Sequence, residues 1–199
     1  MRCFRFLALL VGLSALVFLS SCDSKLEPDF LSTDITGASF GRDFKLSDHN
    51  GDLRSLADFR GKVVLLFFGY TNCPDICPSI MAKLAGAVKN LGKDSNHVQV
   101  LFISVDPEHD TPALLKQYVS TFNPNFLGLS GDLETTRNIA KEFKIAFQKQ
   151  TEETQDSYVM EHSAGTYILD QKGKLRLYVN TSTDIDIISH DILELLRTL

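Results

Sequence analysis

Phe67-Phe68-Gly69-Tyr70-Thr71-Asn72-Cys73-Pro74-Asp75-Ile76-Cys77-Pro78 is the stretch whose reading decides the fold. It begins inside an unbroken apolar run, Val63 to Phe68. A run of that length, bounded by Gly69, suits a strand buried on both faces, as in a parallel sheet. Downstream, Ile80, Met81, Leu84, Ala85, Val88 and Leu91 fall on one helical stripe. The two thiols therefore lie on a strand-to-helix turn, one in the loop and one in the first helical turn. Pro78 fits that turn because first-turn N–H groups have no intrahelical acceptor to lose. A helix N-terminus favours negative charge and lowers a thiol pKa. On this reading Cys73 and Cys77 are both exposed and readily deprotonated, and Asp75 caps the helix or offers an oxygen to a metal.

Upstream of this stretch, Phe44 and Leu46 alternate with polar residues and Asn50-Gly51 signals a two-residue turn, which predicts a hairpin over 40–53. Downstream, Val98 to Val105 is a second buried strand. Thr111-Pro112 pairs an N-cap with proline at the first helical position, opening a helix that carries Leu114, Leu115, Tyr118, Val119 and Phe122. A short strand at 126–129 and a helix through Leu133, Ile139, Ala140 and Phe143 follow. Residues 149–157 are polar and read as an exposed hairpin tip. Thr166 to Leu169 and Leu175 to Val179 flank a turn at 170–174, and Ile185 to Leu196 gives a last amphipathic helix. Strands alternating with helices predict an α/β fold, a mixed sheet with helices on both faces.

The 199 residues suit one domain plus an N-terminal appendage. Arg2 and Arg5 precede an apolar segment, Phe6 to Phe18, too short for a spanning helix, which needs about 20 residues. Leu19-Ser20-Ser21-Cys22 resembles the lipobox of bacterial lipoproteins, where cleavage precedes a cysteine that receives lipid. The division is then 1–21 signal peptide, 22–37 lipidated Cys22 and linker, and 38–199 folded domain. That implies a lipoprotein of the bacterial cytoplasmic (inner) membrane, with its domain facing the periplasm. Of four cysteines, Cys3 leaves with the signal and Cys22 carries lipid. Cys73 and Cys77 remain, and an isolated pair in an oxidising compartment is redox-active or a metal site. The net charge of −5 becomes more negative once Arg2 and Arg5 are lost, which argues against nucleic acid as a partner.

Two thiols after the first buried strand, with a closing hairpin and a last helix, resemble the thioredoxin fold. Thioredoxin motifs separate their cysteines by two residues, whereas here Pro74-Asp75-Ile76 intervenes. Gly69 to Pro78 resembles the signature of the Sco/SenC family of membrane-tethered copper proteins. Ser104-Val105-Asp106-Pro107-Glu108-His109-Asp110-Thr111-Pro112 matches a second family stretch except at His109, and Val159-Met160-Glu161-His162-Ser163 supplies the family's histidine. The resemblance spans 38–199. It implies copper, as Cu(I) or Cu(II), held by Cys73, Cys77 and His162. It also implies assistance in building the copper A centre of cytochrome c oxidase. The partners implied are oxidase subunit II, a copper donor protein and the membrane reached through the lipid anchor.

The residue chemistry agrees, because thiolates select Cu(I) and imidazole suits both copper states. A disulfide between the cysteines would exclude the metal. The alternatives are a thiol-disulfide oxidoreductase that reduces the copper-site cysteines of subunit II, and a copper or redox sensor. His49, His97 and His190 read as solvated, His109 with Asp106 and Asp110 as a capping loop, and Met160 as packing. No phosphate loop, nucleophile elbow or zinc-protease motif is present.

Overall fold

The computed structural model describes residues 28–151 and 158–197. In chain order it runs through β1 (Thr33–Asp34), β2 (Leu46–Asp48), β3 (Leu53–Arg54), β4 (Val63–Gly69), α1 (Ile76–Asn90) and β5 (Val98–Ser104). It continues with α2 (Pro112–Phe122), β6 (Leu127–Ser130), α3 (Leu133–Glu142), β7 (Phe147–Thr151) and β8 (Tyr158–His162). β9 (Thr166–Leu169), β10 (Leu175–Val179) and α4 (Ile185–Arg197) close the described chain. Eight strands form one mixed sheet, ordered β1-β10-β9-β4-β5-β6-β2-β3, while β7 and β8 form a separate hairpin.

The centre of the sheet is the run expected from sequence. Every residue of β4 and of β5 is buried, and the two strands run parallel from Val63 opposite Val98 to Gly69 opposite Ser104. Successive strand side chains point to opposite faces, so Phe67 and Phe68 look in opposite directions. Phe67 meets Phe102 at 6.0 Å between ring centroids, and Phe102 meets Tyr118 of α2 at 5.1 Å. Phe68 meets Phe143, just past α3, at 5.6 Å. Apolar matter covers both faces, as a parallel centre requires.

Helix starts follow local chemistry. Thr111 accepts the Leu114 N–H with Pro112 at the first helical position, and Asp132 accepts the Thr135 N–H. Gly173, at φ 64°, turns the chain between β9 and β10, and Asp170 accepts the N–H groups of Lys172 and Lys174.

Two expectations need correction. Part of the stretch read as linker joins the domain: Thr33 and Asp34 pair with Tyr178 and Leu177, and the buried Asp191 carboxylate accepts the N–H groups of Leu31 (2.8 Å) and Ser32 (2.9 Å). Sequence periodicity misses a two-residue edge strand whose partner lies at the other end of the chain. The polar excursion begins as strand, since Lys149 opposes Met160 and Gln150 opposes Val159. Its tip, 152–157, lies outside the described residues, as do the segment expected to be a signal peptide, 1–21, and Cys22. Among the described residues no helix is long and apolar enough to cross a membrane.

Candidate metal centre

Cys73, Cys77 and His162 come together from the loop after β4, the start of α1 and the end of β8. Their ligand atoms all lie within 4.8 Å of one another, and Cys77 Sγ is 3.3 Å from His162 Nε2. Asp75 precedes α1 but its side chain makes no cap. The Cys77 N–H instead points at Cys73 Sγ, at 3.4 Å, so a sulfur occupies the capping place.

The expected exposure of both thiols fails at Cys77. That residue is fully buried, whereas Cys73 is half-buried. Burial pushes the Cys77 thiol well above the ordinary thiol range, since desolvation disfavours the charged form more than the hydrogen bond with the Tyr70 backbone favours it. Its sulfur sits where a Cβ on Gly69 would come within 3.0 Å, so glycine at the end of β4 leaves the room that Cys77 uses.

The imidazole is oriented from three sides. His162 Nδ1 is 3.1 Å from the Ser163 carbonyl oxygen, which can only accept, so the proton sits on Nδ1 and Nε2 presents a lone pair to the sulfurs. Tyr70 meets the ring edge-on at 5.9 Å and 88°, and Phe67 lies at 6.2 Å. Burial holds the His162 pKa below the ordinary imidazole range, opposed by the Ser163 carbonyl. A neutral imidazole is the form that ligates metal. Two sulfurs and one such nitrogen form a soft, low-coordinate donor set suited to Cu(I) and tolerated by Cu(II).

A shallow cleft over the site is lined by Tyr70, Cys73, Ile76, Val159, Met160 and His162. Ile76 and Val159 are exposed there, while Met160 is buried, as expected of packing. Asp75 stands on the same rim, outside the ligand group.

Asp106, His109 and Asp110 form a second cluster, but its carboxylates are engaged within the protein. Asp110 accepts from the Thr71 N–H (3.2 Å), Thr71 Oγ1 (2.6 Å) and Ser104 Oγ (2.6 Å), and Asp106 accepts from the Tyr158 hydroxyl. The cap of α2 is Thr111, while Asp106 and Asp110 brace the loop before it. Of the histidines read as solvated, only His97 is exposed. His49 Nδ1 accepts the Gly128 N–H at 3.1 Å, and the half-buried His190 stands 3.3 Å from the Asp191 carboxylate. Sequence reading missed Gly69, Tyr70 and Tyr158 as supports of the site. The alternation Tyr158, Met160, His162 was the one available signal for Tyr158.

The family model SCO1/SenC matches residues 32–197. A SCO2-like protein of Rickettsia felis is 34% identical over 171 residues, covering 84% of this chain and 83% of that protein. The copper-bound structure of Bradyrhizobium japonicum ScoI superposes with a TM-score of 0.72 at 35% identity, covering 78% of this chain and 98% of that one. BsSco, described as having a disulfide switch and as a member of the Sco family of cytochrome c oxidase assembly proteins, gives 0.63 at 25% identity, covering 86% and 98%. With the thioredoxin-like architecture and the Cys-Cys-His group in place, these matches establish that the chain belongs to the SCO1/SenC family.

Proposed function

We propose that this chain carries copper as cargo, held by Cys73, Cys77 and His162, and delivers it during assembly of the copper A centre of cytochrome c oxidase. The observation that carries the reading is the Cys77 Sγ to His162 Nε2 approach of 3.3 Å beside the half-buried Cys73. A donor set open on one side lets an incoming ligand of the client replace the protein's own, and the cleft at Cys73 and His162 is that side. The client is the copper A domain of oxidase subunit II, and a separate donor protein supplies the metal. The copper-bound ScoI and the oxidase-assembly role given for BsSco support this assignment. The chain is held on the outer face of a bacterial cytoplasmic membrane by lipid on Cys22, a placement supported by the SCO1/SenC family lipoprotein of Bacillus anthracis.

A second reading rests on the two free thiols. Cys73 attacks a client disulfide to form a mixed disulfide. Cys77 then attacks Cys73 Sγ and expels the client thiol, so that two electrons and two protons pass to the client and a Cys73–Cys77 disulfide remains. Dithiol exchange needs no imidazole, so the approach of His162 Nε2 to Cys77 Sγ at 3.3 Å favours the metal reading as the main activity. The test is a strain lacking this chain, assayed for oxidase activity and for the copper A signature of its membranes. Copper delivery predicts loss of both, restored by the wild-type gene and not by His162→Ala. Full restoration by His162→Ala would favour the dithiol role, and normal oxidase without the chain would overturn both readings.

A further inference from the structure

His162 is carried on a hairpin strand: among the described residues β8 pairs with β7 and with none of the eight strands of the main sheet. Its position therefore depends on how that hairpin is fastened to the body. Side chains at alternate positions of a strand share a face. Tyr158, Met160 and His162 form the inward set of β8, with Met160 buried and Val159 and Glu161 exposed. Met160 seats the middle of the strand in the core. At the far end the Tyr158 hydroxyl donates to Asp106 Oδ2, and Lys149 Nζ lies 3.9 Å above the Tyr158 ring and 3.6 Å from Glu108. Both ties run to the loop after β5. That loop also grips the thiol side: Ser104 Oγ donates to Asp110 and accepts the Asp106 N–H, and Asp110 takes the backbone and hydroxyl of Thr71, two positions before Cys73.

Resting on the copper-site reading above, we propose that Tyr158 is a positioning residue, whose bond to Asp106 sets the tilt of β8 and so holds His162 Nε2 against Cys77 Sγ. One loop then brackets both halves of the site, with Asp110 fixing the sulfurs and Asp106, through Tyr158, fixing the imidazole. Burial and the Asp106 carboxylate beside it push the Tyr158 pKa up, which keeps the phenol a donor. Loss of the hydroxyl leaves the ring under Lys149 and the core contact of Met160 in place. It removes the tie that sets the tilt of β8 at the far end, while the contacts beside His162 and the fold persist.

The test compares the full chain with Tyr158→Phe, with and without His162→Ala. In the metal-free protein, under conditions where both chains are fully folded, diethylpyrocarbonate should modify His162 several times faster in Tyr158→Phe, whose unfolding midpoint falls modestly because the buried Asp106 loses a donor. With Cu(I) as the probe, affinity should fall by about tenfold in Tyr158→Phe, the scale of supporting-residue effects on metal sites, and no further in the His162→Ala background. An unchanged modification rate overturns the proposal, as does an equal affinity loss with His162 already absent. If the wild-type chain binds no Cu(I), the copper-site reading fails on its own, and the modification rates still decide the role of Tyr158.

Discussion

Cys77 Sγ and His162 Nε2 stand 3.3 Å apart although one belongs to the first turn of α1 and the other to a hairpin outside the main sheet. The contact joins a sulfur locked in the core to an imidazole whose place is set from outside it. Copper added there meets one rigid donor, one half-exposed donor and one donor on a tethered arm.

The burial contrast between the cysteines predicts their reactivity. At neutral pH iodoacetamide should alkylate Cys73 at least about tenfold faster than Cys77, because the thiolate is the nucleophile and burial disfavours it at Cys77. Peptide mass spectrometry over a time course reads both rates, and equal rates would contradict the arrangement.

Gly69 is required by space. A Cβ there would meet Phe102 at 2.9 Å and Cys77 Sγ at 3.0 Å. Gly69→Ala should cost about 1 to 3 kcal/mol of stability by overpacking and weaken copper binding by displacing the sulfur. Denaturant unfolding checks the first effect and chelator competition the second.

Asp110 holds the cysteine loop to β5. Its removal leaves the buried Ser104 hydroxyl and the Thr71 donors without their acceptor. Asp110→Ala should destabilise the metal-free protein by about 2 to 4 kcal/mol, whereas a surface change falls within about 0.5 kcal/mol. Urea titration measures the difference.

Much of this was legible in the sequence, and the remainder fails for physical reasons. The apolar runs of β4 and β5, the Thr111-Pro112 helix start and the turn before β10 are local signals, and each appears where expected. The three candidate ligands could be named from residue chemistry and family resemblance. Their mutual distance could not, because it depends on a fold that closes 85 residues of chain. Cys77 was misjudged because its helix-terminal place is a local feature, while its burial beside Gly69 comes from packing. Asp191 holding the N-terminal segment, and Tyr158 bonding Asp106, are long-range ties with no periodic trace.

The depressed His162 pKa gives a pH dependence. In the unfolded chain the imidazole titrates near 6.5, and in the folded chain it titrates lower. Between those values the unfolded state binds more protons, so stability falls as pH drops below about 6.5 and levels out below the folded pKa. His49, also shifted down by burial, contributes in the same direction. His162→Gln should make the metal-free protein less sensitive to acid over that window than wild type. Unfolding midpoints across pH 4 to 8, on the order of the usual acid-titration range, check this, and parallel curves would contradict it.

The most direct test of the account is the Cu(I) affinity of the purified chain and of His162→Ala, measured by competition with a chromogenic chelator under reducing conditions. The account predicts one copper per wild-type chain and a loss of about tenfold or more, roughly 1.4 kcal/mol, when the imidazole is removed. Equal affinities, or no stoichiometric copper in the wild type, would contradict the assignment of Cys73, Cys77 and His162 as a common copper site.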